Sequence, residues 1–279
     1  MAVWEALLAS WSPSADTAPS GPPPIRMTAA SNTATPSTAP SVPSRATPLH
    51  IGIVGCSAEG AALCYRTICT EGAALLGQAH AHPEVSMHTP SLAAYVDCLE
   101  RGDLQGVADL MLASARTLAR AGADFLVCPD NTIHQAFDRV APHSPRPWLH
   151  IAEVVAAEAA ARGHRRLALT GTRWLVDSSV YPDQLAARGL ACVRPSEAER
   201  TEINRIIMDE LVPGVVRPEA VATFQHVIAR MQREEGCDAV VLGCTEIPLI
   251  IGDANSALPT LDSTRLLARA ALRRAVAGT

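Results

Sequence analysis

The sequence predicts an α/β fold with two pseudo-symmetric parallel-sheet lobes, flavodoxin-like or Rossmann-like, and an active-site cleft between the lobes. Short apolar runs such as Ala239–Leu242 alternate with helical segments, which is the pattern of parallel strands joined by helices. The sequence also repeats internally. Residues 122–132 align without a gap with residues 236–246, and the glycine-ended run 51–55 aligns with 167–171. Two similar halves are therefore expected.

The repeat and the apolar periodicity define the expected elements. The first lobe is predicted over residues 49–147 and the second over 148–258, and the last helix, within 259–279, is expected to pack back on the first lobe. Strands are predicted at the short apolar runs 50–55, 125–128, 167–170 and 239–242. Helices are predicted near residues 61–71, 104–121, 151–162, 177–187, 199–211, 218–235 and 263–276.

Residues 1–48 differ in composition from the rest of the chain. Pro, Ser, Thr and Ala dominate this segment, which holds nine of the 21 prolines. Such a composition cannot bury enough apolar surface to offset its conformational entropy, so we expect a disordered N-terminal extension. Its first residues lack the basic region and the long apolar core of a signal peptide, and Met27 is a candidate for the true start.

Composition argues against several functional classes. The formal net charge of -5 provides no basic surface for nucleic acid or for an anionic membrane. Eight cysteines without CxxC spacing favour reduced thiols in a cytoplasmic protein. The sequence has neither an HExxH motif nor zinc-type Cys/His spacing, and GxGxxG is absent, so we expect no metal and no dinucleotide cofactor.

Cys244 follows directly after the predicted strand 239–242, in the run GCTE at 243–246. Ligands of open α/β sheets bind outside the carboxyl ends of the strands, so this thiol is expected at the mouth of a site. A buried structural cysteine is the alternative interpretation. The repeat places Asp130 at the equivalent position of the first lobe, so we expect the two side chains to face each other across the cleft.

The LGCTE run at 242–246 resembles the signature of the aspartate/glutamate (hydantoin) racemase superfamily, and the segment 51–59 with Tyr65 and Arg66 resembles the opening of the same family. The resemblance implies a cofactor-independent amino-acid racemase, an isomerase that inverts the α-carbon by two-base proton transfer. Family racemases typically use two cysteines, one for each face of that carbon. Relatives are commonly dimers, so a homodimer is a further expectation.

The first-lobe motif departs from the family's pattern. Asp130 stands where the family has a cysteine, although Asn131, Thr132 and His134 match the residues that follow it. A carboxyl group can replace a thiol as acid/base, because burial and a nearby charge raise its pKa. Two alternatives remain open: Asp130 as a turn residue that accepts backbone N–H bonds, and Cys56 as a stand-in thiol.

Six further side chains are expected to bind the substrate. They carry hydroxyl, amide or carboxyl groups at predicted strand ends: Asn131, Thr132, Thr245, Glu246, Ser57 and Thr172. The resemblance implies that Asn131, Thr132 and Thr245 hold the α-carboxylate, whereas Glu246 could receive the ammonium group. Turn or N-cap chemistry is the alternative for Ser57 and Thr172.

The side-chain end of the substrate pocket is less defined by sequence. Aspartate-specific relatives place an arginine after the second strand, whereas the equivalent segment here, 85–90, offers only His88. This difference weakens aspartate and glutamate as substrates. Arg66 and Arg205 are the basic alternatives, with salt-bridged helix surface as their ordinary role.

Three functional classes therefore remain in view. The first is the racemase with Cys244 and Asp130 on opposite faces. The second is a decarboxylase or lyase that uses Cys244 alone on a malonate-like acid, and the third is a non-catalytic amino-acid-binding protein. All three predict a small amino acid or related carboxylate as ligand.

Overall fold

The computed structural model describes residues 47–278, which contain two four-stranded sheets. The strand orders are β2-β1-β3-β4 and β6-β5-β7-β8, and all neighbouring strands are parallel. The strands are β1 Ile51–Val54, β2 Val85–His88, β3 Phe125–Val127, β4 Trp148–Leu149, β5 Arg166–Thr170, β6 Ala191–Val193, β7 Ala239–Leu242 and β8 Thr260–Asp262. This arrangement confirms the predicted fold class. Each sheet with its flanking helices is called a lobe below.

Helices connect successive strands, as parallel pairing requires. They are α1 Ala58–Leu76, α2 Leu92–Glu100, α3 Leu104–Arg120, α4 Phe137–Val140, α5 Ile151–Ala161, α6 Arg173–Val176, α7 Val180–Ala186, α8 Glu197–Ile206, α9 Pro218–Glu235 and α10 Ser263–Ala277. A π-helix, Ile207–Leu211, continues α8. None of the helices described over residues 47–278 is long and apolar enough to cross a membrane. The disorder expected for residues 1–48 concerns a segment that lies, except for 47 and 48, outside the described residues.

The repeated Gly-x-Asp sequence has the same function in both lobes. Asp124 precedes β3 and accepts the backbone N–H of His50, just before β1, at 2.8 Å. Asp238 precedes β7 and accepts the N–H groups of Arg165 and Arg166 at the start of β5, at 2.7 and 3.2 Å. Each aspartate thus fixes the register between the two central strands of its sheet. The equivalence predicted from the repeat extends to these hydrogen bonds.

Three predicted boundaries are wrong. The helix expected at 177–187 begins later, at Val180, and the separate short helix α6 precedes it. The helix expected at 199–211 starts earlier and changes to π geometry at Ile207. The early start of α8 has a clear cause, because Ser196 and Glu199 form a reciprocal capping box. The first helix is longer than the predicted 61–71. Helix α2 and strands β4, β6 and β8 were not predicted, because these strands have only two or three residues.

The C-terminal helix α10 packs against both α1 and α5. Its Leu267 is fully buried in an apolar cluster that includes Ile51 of β1 and Ile68 of α1. At the edge of this contact the guanidinium of Arg269 donates two hydrogen bonds, of 2.8 and 2.9 Å, to the carboxylate of Glu71. The end of the chain is therefore part of the packing around β1.

We expect Leu267→Ala to lower the free energy of unfolding by about 2–5 kcal/mol, because it leaves a cavity among fully buried side chains. Exposed Arg273 on the same helix is the matched control, and Arg273→Ala should change stability by less than about 0.5 kcal/mol. Urea unfolding monitored by circular dichroism measures both variants. Equal midpoints for the two would contradict the assigned packing of α10.

Candidate active site

The strand-end turns of both lobes line one cleft that encloses about 560 Å³, the space at its mouth included. Every site residue predicted from the sequence lines this cleft: Ser57, Asp130, Asn131, Thr132, Thr172, Cys244, Thr245 and Glu246. These residues follow β1, β3, β5 and β7, the two central strands of each sheet. The cleft therefore lies at the carboxyl ends of parallel strands, where α/β folds bind ligands.

Asp130 lies after β3 and is 7% exposed. Its two carboxylate oxygens accept the backbone N–H groups of Cys56 and Ser57, each at 3.0 Å, in the turn that leads into α1. Burial raises the pKa of Asp130 to about 6; the charge of Glu246 adds to this effect, and hydrogen bonds from Ser57 and Cys56 oppose it. At neutral pH Asp130 is therefore mainly a carboxylate, but one that binds a proton more readily than an exposed aspartate.

Cys244 occupies the equivalent position after β7 and is 8% exposed. Its thiol donates to Oε2 of Glu246 at 3.0 Å, and the hydroxyl of Thr245 donates to the same oxygen at 2.7 Å. Burial, followed by the charge of Glu246, raises the pKa of Cys244 well above its ordinary range. The two equivalent positions thus differ at neutral pH, since Cys244 carries a proton and Asp130 mostly does not.

Two hydroxyl–hydroxyl hydrogen bonds join the lobes beside these acids. Ser57 Oγ lies 3.0 Å from Thr245 Oγ1, and Thr132 Oγ1 lies 2.8 Å from Thr172 Oγ1. Ser57 and Thr172 are also N-caps, of α1 and α6, as the alternative interpretation of both residues held. Each capping hydroxyl therefore binds its own helix and, in addition, a threonine of the opposite lobe.

Asn131 is held at both ends of its side-chain amide. Its Oδ1 accepts the hydroxyl of Tyr181 at 2.6 Å, and its Nδ2 donates to Ser263 Oγ at 3.0 Å. Ser263 in turn donates to the carbonyl of Leu242, the last residue of β7, at 2.8 Å. Because Nδ2 carries two hydrogens, one N–H of Asn131 is left for a ligand in the cleft.

His134 connects the backbone of Asp130 to the start of α5. Its Nδ1 donates to the carbonyl of Asp130 at 2.9 Å, and its Nε2 accepts the N–H of Ile151 at 3.5 Å. Burial and the adjacent His150 hold the pKa of His134 well below its ordinary range, so the ring is neutral and can serve both contacts. His134 is a positioning residue for the turn at Asp130.

The alternative thiol and the basic candidates differ in where they lie. Cys56 lines the cleft beside Asp130. Cys128, two residues before Asp130, is fully buried in the core of the first lobe. His88 pairs with Ser114 through its Nδ1 at 2.9 Å and lies outside the cleft lining. Arg205 is also outside the lining and donates to two carboxylates, those of Glu202 and Glu210, as the ordinary interpretation predicted.

Sequence analysis missed a group of side chains that we call the apolar wall. It consists of the apolar residues that line the cleft from α2, α6 and the π-helix region, all buried or partly buried except the exposed Val212: Leu92, Val96, Leu99, Trp174, Ile207, Met208 and Val212. The spacing of Leu92, Val96 and Leu99 at i, i+4 and i+7 was the available signal, because it places three apolar side chains on one face of a helix. The apolar wall makes the cleft amphipathic.

A model of the Asp/Glu/Hydantoin racemase family matches residues 51–271. The chain belongs to this family. The predicted family resemblance is thereby confirmed, and with it, at the level of the family, the expectation of an isomerase of the amino-acid racemase type. The match includes both lobes and most of α10.

Two solved structures and one racemase sequence are similar to this chain. The fold is similar to that of a candidate Asp/Glu racemase of Yersinia pestis, with a TM-score of 0.74 and 28% identity, covering 82% of this chain and 99% of that one. It is also similar to PH1733 of Pyrococcus horikoshii OT3, an aspartate racemase homologue, with a TM-score of 0.69 and 29% identity, covering 81% and 98% of the two chains. The broad specificity amino-acid racemase RacX of Bacillus subtilis is 22% identical over 161 residues, 57% of this chain and 68% of RacX.

The contact between α1 and Thr245 depends on a glycine. A Cβ atom placed on Gly60 would lie only 2.4 Å from Cγ2 of Thr245 and 2.9 Å from Oγ of Ser57. Gly60→Ala should therefore displace the Ser57–Thr245 pair and lower the free energy of unfolding by about 1–3 kcal/mol, as overpacking does in other proteins.

Gly252→Ala is the matched control, because a Cβ there meets nothing within 4 Å. Thermal or urea unfolding of the two alanine variants measures the difference in stability. The close approach of the two lobes would be refuted if both variants unfolded at the same midpoint as the unsubstituted protein.

Proposed function

We propose that the protein is a cofactor-independent amino-acid racemase in which Asp130 and Cys244 transfer protons on opposite faces of the α-carbon. Inversion requires a base on one face and a proton donor on the other. The observation that supports the proposal is that a carboxyl and a thiol, at equivalent strand ends of the two lobes, line the same cleft.

The protonation states suit this exchange. Asp130, with a pKa of about 6, is available as a base at neutral pH, and Cys244 is a thiol that can donate. Asp130 removes the α-proton and leaves the electron pair on the α-carbon, as a carbanion stabilised by the substrate's own α-carboxylate. The thiol of Cys244 then protonates the opposite face of that carbon. After this exchange Asp130 is protonated and Cys244 is a thiolate, which is the form required to invert the product enantiomer in the reverse direction.

Glu246 is the proposed partner of the substrate ammonium group. Its Oε2 is the acceptor for both Cys244 and Thr245, so a cation placed at this carboxylate also lies beside the thiol. The pKa of Cys244 is raised by burial and then by the negative charge of Glu246. Such a cation offsets the second of these effects, so the thiolate formed by proton donation becomes less unfavourable. Substrate binding would thus help to activate Cys244.

Neutral donors fit the α-carboxylate. The hydroxyl of Thr132 and the second N–H of Asn131 lie at the polar end of the cleft, near the backbone amides of the strand-end turns. The hydroxyl of Thr245, which donates to Glu246, joins them once the substrate ammonium group replaces it at that carboxylate. Ser57 and Thr172 hold these threonines in place and complete the predicted set of substrate-binding residues.

The proposal has further parts. They are lobes over residues 49–147 and 148–258, no cofactor or metal, a homodimer and a cytoplasmic location.

A decarboxylase that acts on a malonate-like acid has less support. Such a substrate carries two carboxylates, and the ionisable carboxyl groups of the cleft, Asp130 and Glu246, are themselves acidic. Like charges in a partly buried cleft repel each other, whereas an amino acid brings an ammonium group for Glu246. No observation favours a non-catalytic binding protein over an enzyme.

We expect Cys244→Ala and Asp130→Asn each to reduce racemisation at least about 100-fold, the lower range of acid–base catalysis. Proton NMR in deuterium oxide records the loss of the Cα–H signal, and chiral chromatography records inversion. Cys237→Ala is the matched control, because Cys237 is a buried second-lobe cysteine outside the cleft lining, and it should keep full activity. Unchanged racemisation by Asp130→Asn would contradict Asp130 as the second acid/base and leave Cys56 as the alternative group.

The pH dependence of racemisation should follow Asp130. Below a pH of about 6 its carboxyl is protonated and cannot act as a base, so kcat/KM should fall about tenfold per pH unit; above this value it should level off, because the carboxylate is formed while Cys244 stays a thiol. Initial rates of Cα–H exchange between about pH 4.5 and 8 provide the measurement. A flat profile across this interval would be incompatible with Asp130 as the base.

A further inference from the structure

The apolar wall receives side chains from both lobes. Leu92, Val96 and Leu99 lie on one face of α2 and line the cleft, and each is only partly buried. From the second lobe, Met208 of the π-helix is also partly buried, and Val212 just after it is 38% exposed. Covering apolar surface of this kind with a ligand is favourable, because the surface is removed from water.

The wall and the polar end belong to the same cleft. Asp130, Thr245 and Glu246 line it together with the seven residues of the apolar wall. A ligand that satisfies both parts must therefore have a charged or hydrogen-bonding head and an apolar remainder. The α-amino and α-carboxylate groups of an amino acid supply the head, so the wall faces the side chain.

No cation lines the cleft among the residues the structure describes. The sequence contains no lysine, so every one of its 23 basic residues, histidines aside, is an arginine. Arg205 lies near the end of α8, just before the π-helix, and donates to Glu202 and Glu210. Arg66 is outside the cleft lining and lines a neighbouring depression with Glu59. A second carboxylate on the substrate would lie against apolar side chains without a partner, which is strongly unfavourable.

We propose that the substrate is an amino acid with an uncharged, apolar side chain, of the kind found in leucine, methionine or phenylalanine. This inference rests on the proposed function and specifies the substrate class of the same site. The apolar wall binds the side chain, and the polar end holds the α-carboxylate and the ammonium group. Aspartate and glutamate are disfavoured because their distal carboxylate has no cation to pair with.

Selectivity is tested first with the unsubstituted full-length chain. Rates of Cα–H exchange in deuterium oxide are measured for L-leucine, L-methionine, L-aspartate and L-glutamate, and binding of the same four compounds is measured by titration calorimetry. We expect kcat/KM for the apolar pair to exceed that for the acidic pair at least about tenfold, since one missing or unmatched group in a pocket commonly has an effect of this size.

A charge placed in the wall should reverse this preference. Met208→Arg introduces a cation among the side chains of the apolar wall, and we expect the ratio of kcat/KM for leucine over aspartate to fall at least about tenfold. Val215→Arg adds the same charge at an exposed residue of the neighbouring loop outside the cleft lining, and should leave the ratio unchanged. Equal ratios in the two variants would overturn the assignment of the wall.

The two measurements separate this inference from the proposed function. Racemisation that prefers the acidic amino acids would leave the proposed function standing and overturn the substrate class. Binding of leucine or methionine without any exchange would overturn the racemase and support the apolar specificity. Tighter binding of aspartate or glutamate, or binding of none of the four compounds, would overturn the inference whatever the exchange rates.

Discussion

Two hydrogen bonds between hydroxyl groups, Ser57 with Thr245 and Thr132 with Thr172, fix the distance between the lobes at the cleft. Hydroxyl contacts of 3.0 and 2.8 Å require the turns that carry them to approach closely, and Gly60 provides the space for one of these approaches. Since the candidate acids lie on the same turns, their relative position depends on these contacts. The polar end of the cleft is consequently the place where the lobes are joined.

The same turns set the charge state of the cleft. Asp130 is buried but receives two backbone N–H groups, so the rise of its pKa stops at about 6. Cys244 is buried and faces the carboxyl of Glu246, whose charge adds to the rise of its pKa, whereas the backbone N–H of Glu246 opposes it. A carboxyl is ordinarily ionised at neutral pH and a thiol ordinarily protonated, and burial leaves this difference between Asp130 and Cys244 in place. The immediate partners act in opposite directions on the two pKa values, since the amides beside Asp130 oppose the rise and the carboxyl beside Cys244 adds to it.

Sequence was sufficient for the central strands, the long helices and the polar end of the cleft, because apolar periodicity and the internal repeat report on both lobes at once. The apolar wall could not be predicted from sequence, because Leu92, Val96 and Met208 have the spacing of ordinary core residues of helices. Their position in the cleft follows only from the arrangement of the two lobes. The same limit applies to Asn131, whose partners Tyr181 and Ser263 are distant in sequence. The π geometry after Ile206 has no counterpart in the apolar periodicity, which predicts one helix over 199–211.

The hydroxyl pairs cross between the repeated halves instead of lying within them. Asp130 and Cys244 occupy one repeated position, and each pair joins a turn after β1 or β5 to a turn after β7 or β3. A single half accordingly contains one member of each pair and one of the two acids. In the alignment of the repeat Thr245 corresponds to Asn131 and Thr132 to Glu246, so two identical copies of one half would not regenerate these hydroxyl pairs. The fused chain frees the two halves from identity, so one acid can be a carboxyl and the other a thiol.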